Sequence, residues 1–457
     1  MKGRKCLIAV ILTLMTMGYP VLAWGAVSPE EAGRLGGPVL TPIGAERAGN
    51  KDGTIPEWTG VPITIPREYI KGSGHYTDPF ADEKPLFSIN SKNMNQYADK
   101  LADGVKEFMR RYPDYRIDVY KTHRTMVYPR WLYDNTKKNA TACETTNDGR
   151  TLTGKGCHGG TPFPIPKAGI DLYWNHSLGF GGAETTVNNL EAYNITSYGR
   201  ASLVMSAYQL ITTLWHNPDH EGDWRTSQAK VLYNGPARRN GEGVVLTYPL
   251  DWATKGSIIW SYLPGQRRVR LAPDICCDTP SSGTGGASTW DDTGVFNGDP
   301  GRFNWKIIGK KEMYVPYNAY KLVFYKGDIN KAILTHHMNP DLVRWELHRV
   351  WIVEATLKPD KRHVYGRRIF YADEDTWFFL MADNYDRNGN LYRMSLLHPT
   401  YSYDVQATFA DYTLYYDLVS KAYSAYKLPR QSGGLQYMKN PPESYFSPDT
   451  LAGSGLR

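Results

Sequence analysis

The feature that most constrains the fold is a long series of short apolar and aromatic runs after Arg225, separated by Gly, Pro, Asn and Asp. Many of these runs alternate between apolar and polar residues, which is typical of strands with one buried face. Short strands joined by close turns pair with their neighbours in the chain, so we expect an antiparallel sheet. The predicted strands cover residues 231–233, 243–249, 257–263, 266–271, 321–326, 342–358, 363–372, 377–385 and 391–397.

Three connections in this part have informative compositions. Pro264-Gly265 predicts a two-residue hairpin turn. Asn388-Gly389 predicts a second hairpin turn, because both residues tolerate positive φ and alternating strands flank them. The sequence SSGTGGAST at 281–289 has too little apolar surface to form a packed element, so we expect a flexible excursion between strands.

Helical patterns precede the β-rich part. Apolar residues recur at helical spacing over residues 93–112 and Pro113 follows, which predicts a helix there. A second helix is predicted over 200–215, and the Gly- and Pro-rich segment 33–66 is expected to wrap a surface. The predicted fold class is α+β, mainly β, with a strongly curved antiparallel sheet covering a few helices.

The first residues have the pattern of an export signal. Lys2, Arg4 and Lys5 precede an uncharged apolar run over residues 6–17, and small residues follow. This predicts a secretory signal peptide over 1–26, with the cleavage position left open. The run is shorter than the roughly 20 residues that span a bilayer. We therefore expect an exported, soluble chain.

The mature chain is expected to form one elaborated domain over 27–430, including the N-terminal wrapping segment, followed by a polar C-terminal tail over 431–457. Loss of the three basic residues of the signal peptide lowers the formal net charge from +7 to +4. A nucleic-acid partner calls for a concentrated basic face on a suitable fold motif, so none is expected.

Four cysteines remain after removal of the signal peptide, and an exported chain favours disulfides. Cys143 and Cys157 are close in sequence and are the predicted pair. Cys276 and Cys277 are adjacent and can bond to each other or to the other two, so the connectivity stays open. The spacings lack the CxxC pattern of a structural zinc site.

Several enzyme-like patterns are incomplete. GRTLTGKG at 149–156 approaches a phosphate-binding loop, but Gly156 stands where Ser or Thr ligates magnesium. Pro218 would disrupt a helix that places His216 and His220 on one face. The chain contains neither a GxSxG nor an HExxH motif. We therefore expect a non-enzymatic protein without catalytic residues, metal or cofactor.

The 33 Tyr and 13 Trp residues favour amphipathic surfaces. One face of the predicted sheet is expected to be apolar and concave, and an incompletely filled concavity can hold a hydrophobic molecule. The candidate lining residues are Trp252, Trp260, Tyr262, Trp351 and Phe370. The alternative is that these side chains only fill the core.

Basic residues near the end of the predicted strand pair form a second candidate site. Arg267, Arg268 and Arg270 are suited to contact phosphate or carboxylate groups of a lipid head group or an acidic partner. Alternation places Arg268 and Arg270 on one strand face and Arg267 on the other. Solvated strand positions are the alternative. A weaker basic cluster comprises Lys361, Arg362, His363, Arg367 and Arg368.

Three stretches carry a resemblance to a known family. They are LTPIGAERAGNKDGTIPEWTG at 40–60, WSYLPGQRRVRLAP at 260–273 and RWELHRVWIVEATLKPDKRHVYGRRIFYADEDTW at 344–377. The chain resembles the domain of unknown function 1329 family (DUF1329), periplasmic proteins described as outer-membrane lipoprotein-sorting proteins, with a fold similar to that of the lipoprotein carrier LolA. The resemblance reaches across most of the mature chain and supplies no catalytic residues.

The resemblance implies a LolA-like open barrel and a periplasmic location, either free or associated with the outer membrane. It implies a carrier or adaptor that binds a lipid, a lipoprotein acyl chain or another hydrophobic compound. The implied partners are a resistance-nodulation-division type inner-membrane transporter and an outer-membrane β-barrel. Two alternatives stay open: a cell-envelope polysaccharide-binding protein or enzyme, and a structural adaptor of a transporter complex.

Overall fold

The computed structural model describes residues 26–429 and 434–454. Residues 1–25 of the predicted signal peptide therefore lie outside the described residues. The strands are β1 (Phe87–Asn90), β2 (Arg116–Val119), β3 (Glu144–Thr146), β4 (Thr151–Thr153), β5 (Thr185–Ile195), β6 (Ala201–Thr213), β7 (Arg225–Gly235), β8 (Gly243–Pro249), β9 (Ile258–Leu263), β10 (Arg268–Leu271), β11 (Phe303–Pro316), β12 (Arg344–Leu357), β13 (Arg367–Asp373), β14 (Phe379–Tyr385), β15 (Leu391–Leu397), β16 (Thr400–Ser402), β17 (Ala407–Phe409), β18 (Thr413–Asp417), β19 (Tyr423–Pro429) and β20 (Leu435–Met438).

The α-helices are short. They are α1 (Pro29–Gly33), α2 (Asp103–Arg111), α3 (Arg130–Ala142), α4 (Gly169–Ser177), α5 (Tyr320–Val323), α6 (Ile329–Ala332) and α7 (Asp449–Ser454). Within the described ranges, no helix has the length and apolar composition needed to cross a membrane.

Sixteen of the strands found in the described residues form one sheet. Its order is β1-β2-β12-β13-β14-β15-β18-β19-β5-β6-β7-β8-β9-β10, with β11 beside β12 and β20 beside β5. The pair β2–β12 is parallel, through Arg344 with Asp118 and Trp345 with Val119, whereas the other pairs are antiparallel. The mainly β prediction is confirmed, but the sheet is mixed because a long connection brings β2 and β12 together in the same direction.

The prediction of a helix over residues 200–215 is wrong, because most of this segment forms the strand β6. β6 is hydrogen-bonded to β5 on one side and to β7 on the other. This pairing overrides the helical pattern of the sequence, as tertiary context commonly does for weak propensities. The correction matters for function, since alternate residues of β6 line the cavity described below.

The helix predicted over residues 93–112 is present but interrupted. A 3-10 helix covers Met94–Lys100 and α2 covers Asp103–Arg111, with Leu101 and Ala102 extended between them. The carboxylate of Asp383 accepts the backbone N–H groups of Asp103 and Gly104 at 2.9 Å each. A strand residue distant in sequence thus satisfies two amides at the start of α2, which local periodicity does not reveal.

Three further predictions, one strand and two turns, can be compared with the structure. Residues 321–326 form no strand, because Tyr320–Val323 is the short helix α5. The β9–β10 connection has four residues, 264–267, with Arg267 at φ 49°, so the two-residue turn is wrong. The β14–β15 hairpin turn is confirmed, and Gly389 takes the positive φ of 83°.

The main apolar core lies around β11–β15 and the helices α2 and α4. A smaller cluster lies on the outer face of β5–β9, where Phe446 and Leu451 pack with Val245 and Tyr262. Leu451 belongs to α7, so the described part of the segment predicted as a tail, residues 434–454, contributes β20 to the sheet and α7 to this cluster.

Both cysteine pairs are bonded. Cys143 and Cys157 are joined at an S–S distance of 2.01 Å, as predicted. Cys276 and Cys277 are joined to each other, which decides the connectivity that the sequence left open.

Candidate ligand-binding cavity

One face of β5–β9 forms the wall of a cavity of about 710 Å³. Strand alternation places every second residue on this face, and cross-strand pairing aligns these residues from one strand to the next. The apolar residues of this wall are Leu190 on β5, Met205 and Ile211 on β6, Ala229, Val231 and Tyr233 on β7, Val244, Leu246 and Tyr248 on β8, and Ile259 on β9. The wall is therefore built mainly from aliphatic and aromatic side chains.

The opposite wall comes largely from the connection between β10 and β11, residues 272–302, which we call the cover segment. Ile275, Trp290 and Phe296 supply its apolar contribution to the cavity, and Ser281 to Gly283 supply small residues. The segment 281–289 lies within it. Its backbone is folded into hydrogen-bonded turns, and the side chains of Ser281, Thr284 and Ser288 are buried. It is therefore packed against the protein, in contrast to the flexible excursion we expected.

The cover segment is fastened to β13 by a buried arginine. Arg368 has no exposed surface, and its Nη2 donates to Asp292 Oδ1 at 2.7 Å and to the Val295 carbonyl at 3.1 Å. Its Nε donates to Asn384 Oδ1 at 2.8 Å. The guanidinium group also lies over aromatic rings, including that of Phe296 at 4.9 Å. One side chain thus joins the sheet to the cover segment through charge, hydrogen bonds and ring contacts.

A histidine completes this attachment. His363 Nε2 lies 3.1 Å from Asp291 Oδ2, and Thr289 Oγ1 donates to Asp291 Oδ1 at 2.6 Å. Burial acts to raise the pKa of Asp291, but His363 and Arg368 outweigh it and hold that pKa below its usual range. Asp291 is therefore ionised at neutral pH and bound to two groups of the β12–β13 connection and β13.

The cavity runs along the strands. Its wall extends on β7 from Ser227 to Tyr233, which corresponds to about 20 Å at roughly 3.3 Å per residue. The exposed residues Arg238, Leu263 and Ser282 line it at the end of the β7–β8 and β9–β10 turns, which marks the mouth. Phe378 and the buried His176 line the other end.

His176 links the cavity wall to the cover segment. Its Nδ1 accepts the backbone N–H of Phe379 at 3.0 Å, so Nε2 carries the proton and donates to the Phe296 carbonyl at 3.0 Å. Burial lowers the pKa of His176 to about 3. The neutral imidazole therefore bridges β14 and the cover segment.

Two ion pairs lie within the lining: Arg239 with Glu242, at 2.8 Å between Nε and Oε2, and Lys427 with Asp411. Lys427 on β19 is 6% exposed, and its Nζ donates to Asp411 Oδ1 at 2.5 Å. Burial raises the pKa of Tyr248 to about 12, and the nearby Lys427 ammonium opposes that rise. Lys427 lies within a bulge of β19, between Ala425 and Leu428, and its φ is 64°. The bulge breaks the alternation of β19, and Lys427 reaches the cavity.

The candidate lining residues lie in different places. Tyr262 belongs to the cavity lining and also to the cluster on the outer face with Phe446. Trp260 packs in that outer cluster. Trp252 and Phe370 are buried in the main core, where Phe370 stacks on Trp305, and Trp351 is half-buried against it. The structure does not bring these five residues together in one cavity.

The three arginines lie at the sheet edge. Arg268 and Arg270 are exposed on β10 and stand opposite Leu263 and Ser261 of β9, two residues that line the cavity. They therefore share the cavity face, as alternation predicts. Arg267 is exposed in the turn before them.

One group of possible metal ligands, His348, Asp373 and Asp375, lies in the main core. Arg124 donates to both carboxylate oxygens of Asp375, at 2.6 and 2.8 Å. Glu346 Oε2 lies 3.2 Å from His348 Nε2, and Asp373 accepts hydrogen bonds from Thr376 and Tyr317. These partners make the group part of a buried ion network.

Sequence reasoning missed most of the wall. Residues of β6 were assigned to a helix, and Ala229, Leu246 and Ile259 are ordinary apolar strand residues. Alternation within β7 and β8 was the available signal. The cover segment gave no such signal, because its position depends on contacts with Arg368 and His363, which follow its Asp292 and Asp291 by 76 and 72 residues in sequence.

Comparison with known proteins assigns the chain to a family. Residues 88–452 match the family model described as protein of unknown function, DUF1329. The chain belongs to the DUF1329 family. An uncharacterised protein of Pseudomonas aeruginosa, PA3922, is 37% identical to this DUF1329 protein over 464 residues, covering 100% of both chains.

Solved structures show partial similarity to this DUF1329 protein. A DUF1329 family protein from Desulfovibrio piger is 14% identical, with a TM-score of 0.41, and the match covers 59% of this chain and 92% of the other. A putative outer-membrane lipoprotein-sorting protein domain from Vibrio parahaemolyticus is 13% identical, with a TM-score of 0.41, and the match covers 59% of this chain and 92% of the other. A LolA superfamily protein from Nitrosomonas europaea is 12% identical, with a TM-score of 0.36, and the match covers 62% of this chain and 99% of the other. Family membership rests on the family model and the full-length relative.

Proposed function

We propose that this protein is a periplasmic carrier or adaptor that binds a lipid or another hydrophobic compound in the cavity between β5–β9 and the cover segment. The observation that carries the proposal is the cavity itself, about 710 Å³ in volume and lined mainly by apolar side chains. This size falls within the range of small-molecule sites, which are concave and mostly apolar.

The shape of the cavity supports an elongated ligand. The wall extends about 20 Å along β7 at roughly 3.3 Å per residue, and the mouth lies at one end. An acyl chain or a similarly narrow apolar molecule would bury most of its surface there. Burial of apolar surface contributes roughly 25 cal/mol per Å², and the preformed walls reduce the ordering cost of binding.

The alternative functions have less support. A polysaccharide-binding protein or enzyme would call for an open aromatic groove beside carboxylates, whereas aliphatic residues dominate this wall. A purely structural adaptor would call for an exposed apolar patch without a cavity. The expectation of a non-enzymatic protein stays a prediction.

The location and partners are part of the same proposal. Cooperation with a resistance-nodulation-division type transporter and an outer-membrane β-barrel would require a docking surface near the mouth. Arg267, Arg268 and Arg270 are exposed on or beside the edge strand β10. We propose these arginines as a contact for acidic groups of a partner or of lipid head groups.

The test uses the purified mature protein and a matched pair of variants. Ala229 lies on the cavity face opposite Ile211 and Leu246, so Ala229→Trp would place a bulky ring inside the cavity and obstruct it. Ala81→Trp adds the same ring at an exposed position. Binding is measured by fluorescence titration with N-phenyl-1-naphthylamine, and copurified molecules are identified by native mass spectrometry.

We expect saturable binding by the wild type and by Ala81→Trp, and about ten-fold or greater weakening in Ala229→Trp with unchanged circular dichroism. A protein that takes up neither the probe nor any envelope lipid contradicts the proposal. Equal binding by Ala229→Trp and the wild type would place the ligand elsewhere.

A further inference from the structure

The strands of the cavity wall carry polar groups that lack hydrogen-bond partners among residues 26–429 and 434–454. Gln209 lies on the cavity face of β6 and is 5% exposed, yet its Oε1 has no hydrogen-bond partner among the described residues. Asn188 is its direct cross-strand neighbour on β5 and is 2% exposed. Neither Nδ2 nor Oδ1 of Asn188 has a partner in the same part of the chain. Together these two amides form a polar pair beside an apolar surface.

Lys427 adds unused donor capacity to the same region. An ammonium group carries three N–H donors, and Asp411 is the one hydrogen-bond acceptor found for Lys427 among the described residues. β19 pairs with β5 at Leu428 with Glu191 and Pro429 with Leu190. Lys427 therefore enters the cavity from the strand next to the one that carries Asn188.

Buried polar groups without partners are rare, because each loses its hydrogen bonds to water without gaining others. Gln209, with its unpartnered Oε1, and Lys427, with its spare donors, both line this largely apolar cavity, which indicates a partner that arrives with the ligand. A purely hydrocarbon ligand would displace water from these groups and leave them unsatisfied.

The charge balance limits the chemistry of that partner. Asp411 already neutralises Lys427, so the polar region has no net charge of its own. A carboxylate or phosphate placed there would add a second negative charge beside Asp411 in a poorly solvated site. A neutral hydroxyl or amide can accept from Lys427 and also donate to Gln209 Oε1.

We propose that the ligand is an elongated, uncharged amphiphile whose hydroxyl or amide group binds the polar region formed by Lys427, Asp411 and Gln209. This inference rests on the proposed function, since it concerns the ligand of the same cavity. It goes beyond that function by requiring a neutral polar group inside the cavity, in addition to any head group at the mouth.

The experiment compares three probes of equal chain length, delivered from cyclodextrin: 1-hexadecanol, palmitate and hexadecane. Their affinities are measured by displacement of N-phenyl-1-naphthylamine at neutral pH. Two cavity variants remove the polar region: Gln209→Leu, and Lys427→Met combined with Asp411→Asn, which leaves no lone charge. Lys92→Met, at an exposed lysine, is the matched control.

We expect the wild type and Lys92→Met to bind 1-hexadecanol about ten-fold more tightly than either palmitate or hexadecane. The two cavity variants should lose this preference, with the alcohol and the alkane within about three-fold of each other, and should keep their affinity for hexadecane. Retained alkane binding shows that a variant is folded and its cavity accessible.

Three results would overturn the inference. Tightest binding of palmitate would indicate that Lys427 binds an anionic group of the ligand. Equal binding of all three probes would show that the polar region does not contribute to ligand binding, while the carrier function stands. Failure of all three to bind, with N-phenyl-1-naphthylamine also rejected, would overturn the proposed function together with the inference.

Discussion

The β11–β15 part of the sheet and the β5–β9 part differ in what meets their faces. All seven residues of β14 are buried, so both faces of that strand are covered by packed side chains. On β7 and β8 one face packs against the C-terminal segment, whereas the other lines the cavity. The same sheet is thus filled in one part and open to a ligand in the other.

Both parts contain buried polar atoms without hydrogen-bond partners among the described residues, such as Asn384 Nδ2 in the filled part, but their surroundings differ. In the filled part, Arg368 is surrounded by Asp292, Asn384 and the Val295 carbonyl. In the cavity part, Gln209 lines open space, and its Oε1 has no hydrogen-bond partner in the part of the chain that the structure describes. Close packing and satisfied charges stabilise a fold, and incomplete packing leaves room for a ligand. The comparison teaches that β11–β15 mainly stabilise the fold, whereas β5–β9 provide the space for a ligand. The cover segment contacts both parts.

The largest expected effect is at the connection between the two parts. Arg368→Met leaves Asp291 and Asp292 buried without their main cation, so the free energy of unfolding should fall by about 3–5 kcal/mol. Arg367→Met is the neighbouring control, because Arg367 is 41% exposed in its pair with Glu354 and should cost no more than about 1 kcal/mol. Urea denaturation measures both. Similar losses in the two variants would contradict the anchoring role of Arg368.

The second prediction compares one residue type in the two parts. Leu380→Ala on β14 opens a void in packed surroundings and should cost about 2–5 kcal/mol. Leu246→Ala on β8 removes atoms that already face the cavity, so no new void forms and about 1 kcal/mol or less should be lost. Chemical denaturation of both variants decides between these values. Equal losses would mean that the β5–β9 face is as tightly packed as the core.

The filled part could be predicted from the sequence better than the cavity part. The strands β12, β14 and β15 follow from short runs rich in apolar and aromatic residues, and the β14–β15 turn follows from Asn388-Gly389, because those signals are local. β6 could not be predicted in the same way. Its residues suit either a helix or a strand, and pairing with β5 and β7 decides between them.

The site depended even more on distant contacts. Tyr262 was the one candidate lining residue that the structure places at the cavity. Phe370 has the same aromatic character, but its position on β13 puts it in the core. Arg368 resembled a surface cation in sequence, and its burial follows from Asp292, 76 residues away. Aromatic content thus indicated what kinds of surface exist, without indicating which strand faces where.

The two disulfides offer a third contrast. Cys143–Cys157 has a sequence separation of 14 residues and Cys276–Cys277 a separation of 1. Closing the longer loop restricts the unfolded chain, so replacing both Cys143 and Cys157 by Ser should cost about 3 kcal/mol. The corresponding replacement of Cys276 and Cys277 releases almost no loop and should cost about 1 kcal/mol or less. Thermal unfolding of the two double variants tests this ranking, and a reversed order would refute it.

The smallest expected effect at neutral pH concerns His176, which touches both parts of the comparison. Its pKa of about 3 in the folded protein lies below the ordinary value of 6.5, because the imidazole is buried. The unfolded chain therefore takes up a proton first as the pH falls. Stability contributed by neutral His176 is complete above pH 6.5 and is lost toward pH 3, by about 1.4 kcal/mol per pH unit.

The measurement is the difference in free energy of unfolding between the wild type and His176→Gln, from pH 7.5 to 5. Other buried histidines titrate in both proteins, so their contributions cancel. We expect a constant difference above pH 6.5 and a decreasing advantage of the wild type below it. A difference independent of pH would mean that His176 binds protons equally in both states. Over the same range, the protection factors of the amides of residues 293–297, corrected for the intrinsic exchange rate, should fall below pH 6.5, since opened states that expose His176 to water gain a proton there.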